Sequence, residues 1–183
     1  RATLEMKIIE VDGVHRTLPH VKHIFEETKG MDKLIVLKSL LERSSNKVQD
    51  GGMGRTLIFC NTISSCRAVE YAVNEYNTAL AYHGDMPSDE RSNNLLKFRN
   101  GEVNILIGTD IAARGLDIPK ISSVIHYDIA RTPQVYVHRS GRTARANQSG
   151  KTISFVTPDE FEFHQLITEY VTGKKKALNV KGY

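Results

Sequence analysis

Cysteine is scarce in this sequence: Cys60 and Cys66 are the only two among 183 residues. Two do not make a disulfide framework, and a reducing interior is the default environment. Long hydrophobic runs are absent too. No apolar stretch approaches the ~20 residues of a membrane span, which excludes a helical membrane protein. The opening residues RATLEMKIIEVDG hold no signal-peptide core and no initiator Met. We therefore expect an intracellular, non-secreted chain excised from a longer one, with nucleus, nucleolus, cytoplasm and organelle all open. A phosphate-binding GxxxxGKT loop is missing, although GKT at 150–152 imitates its end. The first glycine of that loop would fall at Arg145, and ISFVT, a strand, follows where a helix is required.

What is present describes an ordinary folded domain. Hydrophobic residues make up 40% and charged residues 25%, enough at this length to bury a core. The net charge of +4 leans mildly toward polyanionic partners. Short, nearly continuous β-branched runs predict strands at 55–61, 78–83, 103–109, 122–128 and 151–157. Helical periodicity fills 64–76, 87–99, 133–145 and 159–171 between and after them, with an earlier helix at 31–43. Thr157-Pro158-Asp159-Glu160 opens the last helix as a capping box, and Thr132-Pro133 makes a similar start. MKIIEV reads as an edge strand and 44–54 as a surface loop.

This alternation predicts an α/β fold, a doubly wound, mainly parallel sheet with helices on both faces. We expect a single domain over 1–172 and a basic tail over 173–183. Doubly wound sheets put ligands at the carboxyl ends of their strands. Asn61-Thr62, His83-Gly84, Thr109-Asp110 and Asp128 all fall there, which points to a functional rim.

The stretch YVHRSGRTAR, 136–145, sharpens that reading. On a helix advancing about 100° per residue, His138, Arg142 and Arg145 share a narrow wedge while Arg139 points elsewhere. Cations so placed repel one another, so an anion is expected opposite them. Gly141 suits a place where another group must come close. Other clusters carry less. Cys60 and Arg67 are one residue too far apart for a cysteine-phosphatase loop, and Cys60 reads as a small buried hydrophobe. His20 and His23 have metal-like spacing without further ligands nearby, and read as surface residues. Asp89-Glu90 and Asp159-Glu160 sit in first helical turns, where they complement the helix dipole.

Taken in order, LIFCNT, YHGDMPSDER, ILIGTDIAARGLDIP, VIHYD and YVHRSGRTAR resemble the motifs of the second, C-terminal RecA-like domain of DEAD-box ATP-dependent RNA helicases. The set covers roughly 55–157, and TDIAARGLD together with HRSGRTAR is its most specific part. His138 in HRxGRxxR is typical of the DEAD-box branch. The sequence departs from the family at Ser88, where Gln is usual, at Ala144, where Gly is commoner, and at Leu116 for Ile.

The resemblance implies a division of labour. ATP and Mg²⁺ would be held mainly by an N-terminal RecA-like domain, to which this domain supplies Arg142 and Arg145 as arginine fingers. His138 would couple that site to the other domain. Gly115 would let backbone approach the nucleotide, and Asp117 would accept a hydrogen bond from the ribose. Arg91, Gly84, Thr109, Asp110 and Thr62 would contact the backbone of single-stranded or duplex RNA, with little sequence preference. Protein cofactors are possible partners, and a membrane is not. The chain alone, without a GxxxxGKT loop or a DEAD run, is expected to lack appreciable ATPase activity. The rival reading is a stand-alone, non-catalytic RecA-like module that binds RNA or protein.

Overall fold

Five consecutive buried residues, TLIFC at Thr56–Cys60, form a strand that can only be central, because both of its faces are covered. The computed structural model describes residues 8–12, 18, 20–45, 54–110, 118, 121–143 and 149–173. Its strands are β1 (Ile8–Asp12), β2 (Val21–Glu27), β3 (Thr56–Cys60), β4 (Ala79–Tyr82), β5 (Ile105–Thr109), β6 (Ser123–His126) and β7 (Gly150–Val156). They form one seven-stranded sheet in the order β1-β2-β7-β6-β3-β5-β4. All neighbours pair in parallel except β1, which lies antiparallel on β2 as an edge. The expected mainly parallel, doubly wound α/β fold is present.

The period of two along each strand sorts side chains between the faces. Ile58, Cys60, Ile107 and Ile125 pack under helices α1 (Lys33–Ser45) and α2 (Ile63–Asn74). Leu57, Phe59, Leu106 and Val124 face the other way, onto Phe98 of α3 (Ser88–Asn100). A third cluster joins Phe25 of β2 and Val156 of β7 to α4 (Pro133–Ser140) and α5 (Phe161–Thr172) through Tyr136, Ile167 and Val171. Among the described residues, no helix is long and apolar enough to cross a membrane.

The helix starts follow the expected chemistry. Thr62 caps α2 by accepting the Ser65 N–H at 3.0 Å, and Thr132 caps α4 by accepting the Val135 N–H at 3.2 Å, with Pro133 in the first turn. The Thr157–Glu160 capping box is complete, although it opens a 3₁₀ turn (Pro158–Glu160) that precedes α5. Asp89 and Glu90 lie in the first turn of α3.

Two expectations are corrected. Residues 21–27 form a strand that the pattern VKHIFEE did not announce, and His23 within it is fully buried rather than on the surface. Its inward polar side chains have distant partners: His23 Nδ1 shares a hydrogen bond with Tyr136 Oη at 2.8 Å, and Glu26 pairs with Arg43 at 2.9 Å. Helix α4 also ends at Ser140, short of 145, with the Gly141 N–H on the Val137 carbonyl at 2.8 Å. Thr143 then turns its hydroxyl inward to donate to the Ile121 carbonyl at 2.7 Å. His138 therefore occupies the last turn of α4 and Arg142 lies beyond it, so no helical wedge joins them. The tail at 174–183, most of the 44–54 loop, Leu116 and Ala144 lie outside the described residues.

Candidate functional site at the strand rim

Six parallel strands bring their carboxyl ends to one side of the sheet. Asn61 and Thr62 follow β3, His83 and Gly84 follow β4, Thr109 ends β5 with Asp110 next, and Asp128 follows β6. The rim predicted from sequence is a single surface.

At its centre lies Arg139, 1% exposed. Its Nε donates to Asp110 Oδ1 at 2.6 Å, and Nη2 donates to Asp110 Oδ2 at 2.7 Å, a bidentate pair. Nη2 also donates to Asn61 Oδ1 at 2.6 Å, and Nη1 to the Asp128 carbonyl at 2.8 Å. The guanidinium carbon stands 5.2 Å from the centre of the Phe59 ring. Arg139 is the residue that sequence reasoning passed over. A helical wheel separates it from His138 and Arg142 but does not say which of the two faces meets the sheet.

Asn61 extends the network. Its N–H donates to Asp128 Oδ2 at 2.9 Å and its Nδ2 to the Ile129 carbonyl at 3.0 Å. Asp128 in turn lies 3.7 Å from Lys33 Nζ, which is 3.5 Å from Glu160. Polar contacts thus run from β5 through α4, β3 and β6 to the start of α1 and the turn before α5. Asp128, held from sequence as a rim residue, is a structural member of this chain.

The remaining candidates differ in exposure. His138 is exposed and Arg142 half-buried, on either side of Arg139 along the chain. Gly84 is exposed, and a Cβ added there would meet nothing within 4 Å. Its backbone therefore has no packing reason to be glycine, whereas open access to a ligand is a reason. Arg91 is half-buried in the first turn of α3, and Thr109 is half-buried. Thr62 is exposed, its hydroxyl donating to Ser65 Oγ at 3.0 Å. The Asp110 carboxylate is committed to Arg139, which leaves its backbone for a ligand. Gly115, Asp117 and Arg145 lie outside the described residues.

Beneath α4 the sheet carries polar side chains beside the apolar cluster of Phe25 and Val156. His23 and His126 are both fully buried, and Ser140 Oγ is 3.4 Å from His126 Nε2. Burial lowers the His23 pKa to about 4 and holds His126 well below the usual histidine value, with the Arg139 charge a further cause for His126. Both rings are neutral at pH 7. On the opposite face, a hydrogen bond with Cys66 and burial push the Cys60 thiol far up. Cys60 is the inert hydrophobe expected.

The helicase conserved C-terminal domain family matches residues 32–147, more than half of the chain. The chain belongs to the DEAD-box RNA helicase family, as its C-terminal RecA-like domain. It is 39% identical over 162 residues to the ATP-dependent RNA helicase DbpA of Escherichia coli (strain K12), covering 88% of this chain and 34% of that protein. It therefore spans about a third of that relative's length. Among solved structures it resembles the E. coli DEAD-box protein SrmB bound to the regulator of ribonuclease activity RraA, with TM-score 0.71, 26% identity, and 85% and 87% of the two chains covered. The S. cerevisiae Dbp5 structure bound to RNA and ADP BeF3 matches with TM-score 0.71 and 28% identity, covering 92% of this chain and 41% of that one.

Proposed function

We propose that this domain is the arginine-finger half of an RNA-dependent ATPase that separates short duplexes or remodels RNA–protein complexes. The observation that supports it best is the anchoring of α4 at the strand rim by Arg139, with His138 and Arg142 flanking the anchor. Arg142, and Arg145 beyond it, would extend from this anchored end toward a nucleotide held by an N-terminal RecA-like domain. Bound ATP supplies the phosphoryl group whose transfer drives the cycle. Arg suits the role because a planar fork that stays charged can meet phosphate oxygens bidentately. Fingers of this kind are worth about 10³–10⁵ in rate in well-studied NTPases. His138 would touch the partner domain, and Gly115 and Asp117 would approach the nucleoside. Mg²⁺ belongs, on this reading, to carboxylates of the N-terminal domain.

RNA would lie across the other part of the rim, as a class of ligand that the Dbp5 neighbour also binds. Gly84 offers backbone without a side chain in the way, Thr109 and Asp110 offer backbone and hydroxyl, and Arg91 offers a charge for a phosphate. Thr62 contributes through its hydroxyl oxygen. Contacts of this type position a strand without reading its bases. Protein cofactors enter only as a class, by analogy with the SrmB–RraA pair.

A complementation assay tests the reading. The domain alone should give no RNA-stimulated ATP turnover. Adding the N-terminal RecA-like half should restore it, and the Arg142→Ala domain should fail to do so. Turnover by the domain alone, or full restoration by Arg142→Ala, would sink the finger assignment and favour a stand-alone binding module.

A further inference from the structure

We propose that Arg139 is a positioning residue, the clamp through which the RNA side of the rim sets the position of the finger-bearing end of α4. The inference rests on the finger reading above.

Three strand ends converge on one guanidinium. Asp110 follows β5 directly after Thr109, Asn61 follows β3 directly before Thr62, and the Asp128 carbonyl follows β6. The first two neighbours are RNA-contact candidates, and each is one peptide away from an Arg139 partner. On the other side, Arg142 follows Arg139 by three residues and its N–H donates to the Arg139 carbonyl at 3.1 Å. A shift of the β3 or β5 end therefore reaches the finger segment through a fork of fixed geometry. Asn61 adds rigidity, because its own N–H and amide are held by Asp128 and Ile129.

The floor beneath α4 gives the clamp its importance. Close apolar packing would by itself lock a helix in place. Here the strands opposite α4 present His23 and His126, both fully buried, to Tyr136 and Ser140. His23 Nε2 and His126 Nδ1 have no hydrogen-bond partner among the described residues. Tyr136 also packs on Phe25 and Val156, but the C-terminal end of α4 meets the sheet through the polar Ser140–His126 contact, so the position of that end depends on directional bonds, of which Arg139 makes the most. A buried ion pair is a poor source of stability compared with apolar residues of the same volume. Its presence here is better explained by geometry than by stability.

The test uses the intact helicase, this domain joined to its N-terminal half, with Asp110→Asn, Arg139→Lys and the double variant. Each rate is normalised to the folded fraction and measured well below that variant's unfolding midpoint. For a clamp, each single change lowers the maximal RNA-stimulated kcat by about tenfold or more, while half-saturating ATP and RNA stay within about threefold. The double variant falls no further than the worse single one, because both break one link. Asp110→Glu, which keeps a carboxylate for Arg139, recovers part of the loss.

Wild-type kcat in the folded single variants overturns the clamp. So does a raised half-saturating RNA concentration at unchanged kcat, which makes Asp110 a direct RNA contact, and so do losses that multiply in the double variant. Arg142→Ala, measured alongside, separates the two levels: wild-type turnover there removes the finger reading, and the clamp with it, whereas a large loss there beside unaffected clamp variants removes the clamp alone.

Discussion

Arg139 holds both carboxylate oxygens of Asp110, at 2.6 and 2.7 Å, from a position with almost no contact with solvent. The two residues come from α4 and the end of β5, 29 positions apart in sequence. Together with the Asn61 and Asp128 contacts, this pair makes the rim one body rather than a row of strand ends.

Removing the arginine should cost more than removing any exposed charge. Arg139→Ala leaves the Asp110 carboxylate and the Asn61 carbonyl without their donor and opens a void beside Phe59. Breaking a fully buried pair costs about 3–5 kcal/mol, and with Asp110 30% exposed that range is an upper bound here. Arg139→Met, which refills the volume, should recover part of it. Urea unfolding of the domain, read by circular dichroism, would give the order Ala below Met below wild type. Equal midpoints for wild type and Arg139→Ala would contradict the buried network.

The Lys33 pairs should behave differently. Lys33 Nζ lies 3.7 Å from Asp128 and 3.5 Å from Glu160, and all three side chains retain access to solvent. Such pairs are long, screened by salt and worth about 0–1 kcal/mol. Lys33→Ala should therefore lower stability by less than about 1 kcal/mol at low salt, and the difference should shrink in 0.5 M NaCl. A salt-independent loss of several kcal/mol would mean that Lys33 carries more of the rim than its geometry indicates.

Two glycines, Gly108 within β5 and Gly84 in the turn after β4, should separate packing from ligand access. A Cβ at Gly108 would stand 2.8 Å from the Tyr82 carbonyl, between β5 and β4. Gly108→Ala should destabilise the domain by about 1–3 kcal/mol, the usual cost of overpacking. Gly84→Ala meets nothing within 4 Å and should leave the unfolding midpoint unchanged. If Gly84 lies under bound RNA, the same change should weaken RNA binding by about fivefold or more in a fluorescence-anisotropy titration on the intact helicase. Unchanged affinity would remove Gly84 from the RNA path.

The parts legible in the sequence are those governed by local chemistry. The central strands could be read because both faces of β3, β5 and β6 are buried, which leaves a near-continuous apolar signature. The caps at Thr62, Thr132 and Thr157 depend on a residue and its successors a turn later. Strand β2 was hidden because its inward histidine and glutamate look like solvent-facing residues until Tyr136, 113 positions away, and Arg43 are brought to them. The same limit hid Arg139, whose four hydrogen bonds all go to residues brought near by the sheet. It also misplaced the segment around Arg142: regular helix spacing was extended past Gly141, while the chain there turns Thr143 toward the Ile121 carbonyl. Family motifs marked this stretch as functional without telling which arginine points inward.

The buried histidines predict a pH dependence with a definite sign. The His23 pKa is lowered to about 4 by burial, against an ordinary value of 6.5 in the unfolded chain. Between these values the unfolded state binds more protons than the folded one, so stability rises with pH across this window. The contribution is complete above pH 6.5, is lost progressively as pH falls, and is gone below about 4. A shift of this size corresponds to something on the order of 3 kcal/mol. His126, also held well below its ordinary value, acts in the same direction. His23→Gln cannot take up a proton, so its urea midpoint should fall less between pH 7 and pH 5 than that of wild type, although it starts lower through loss of the Tyr136 contact. Parallel pH profiles for the two proteins would show that His23 does not stay neutral in the folded state. The polar floor of α4 would then be a charged one, and the orientation of the helix above it would need a different explanation.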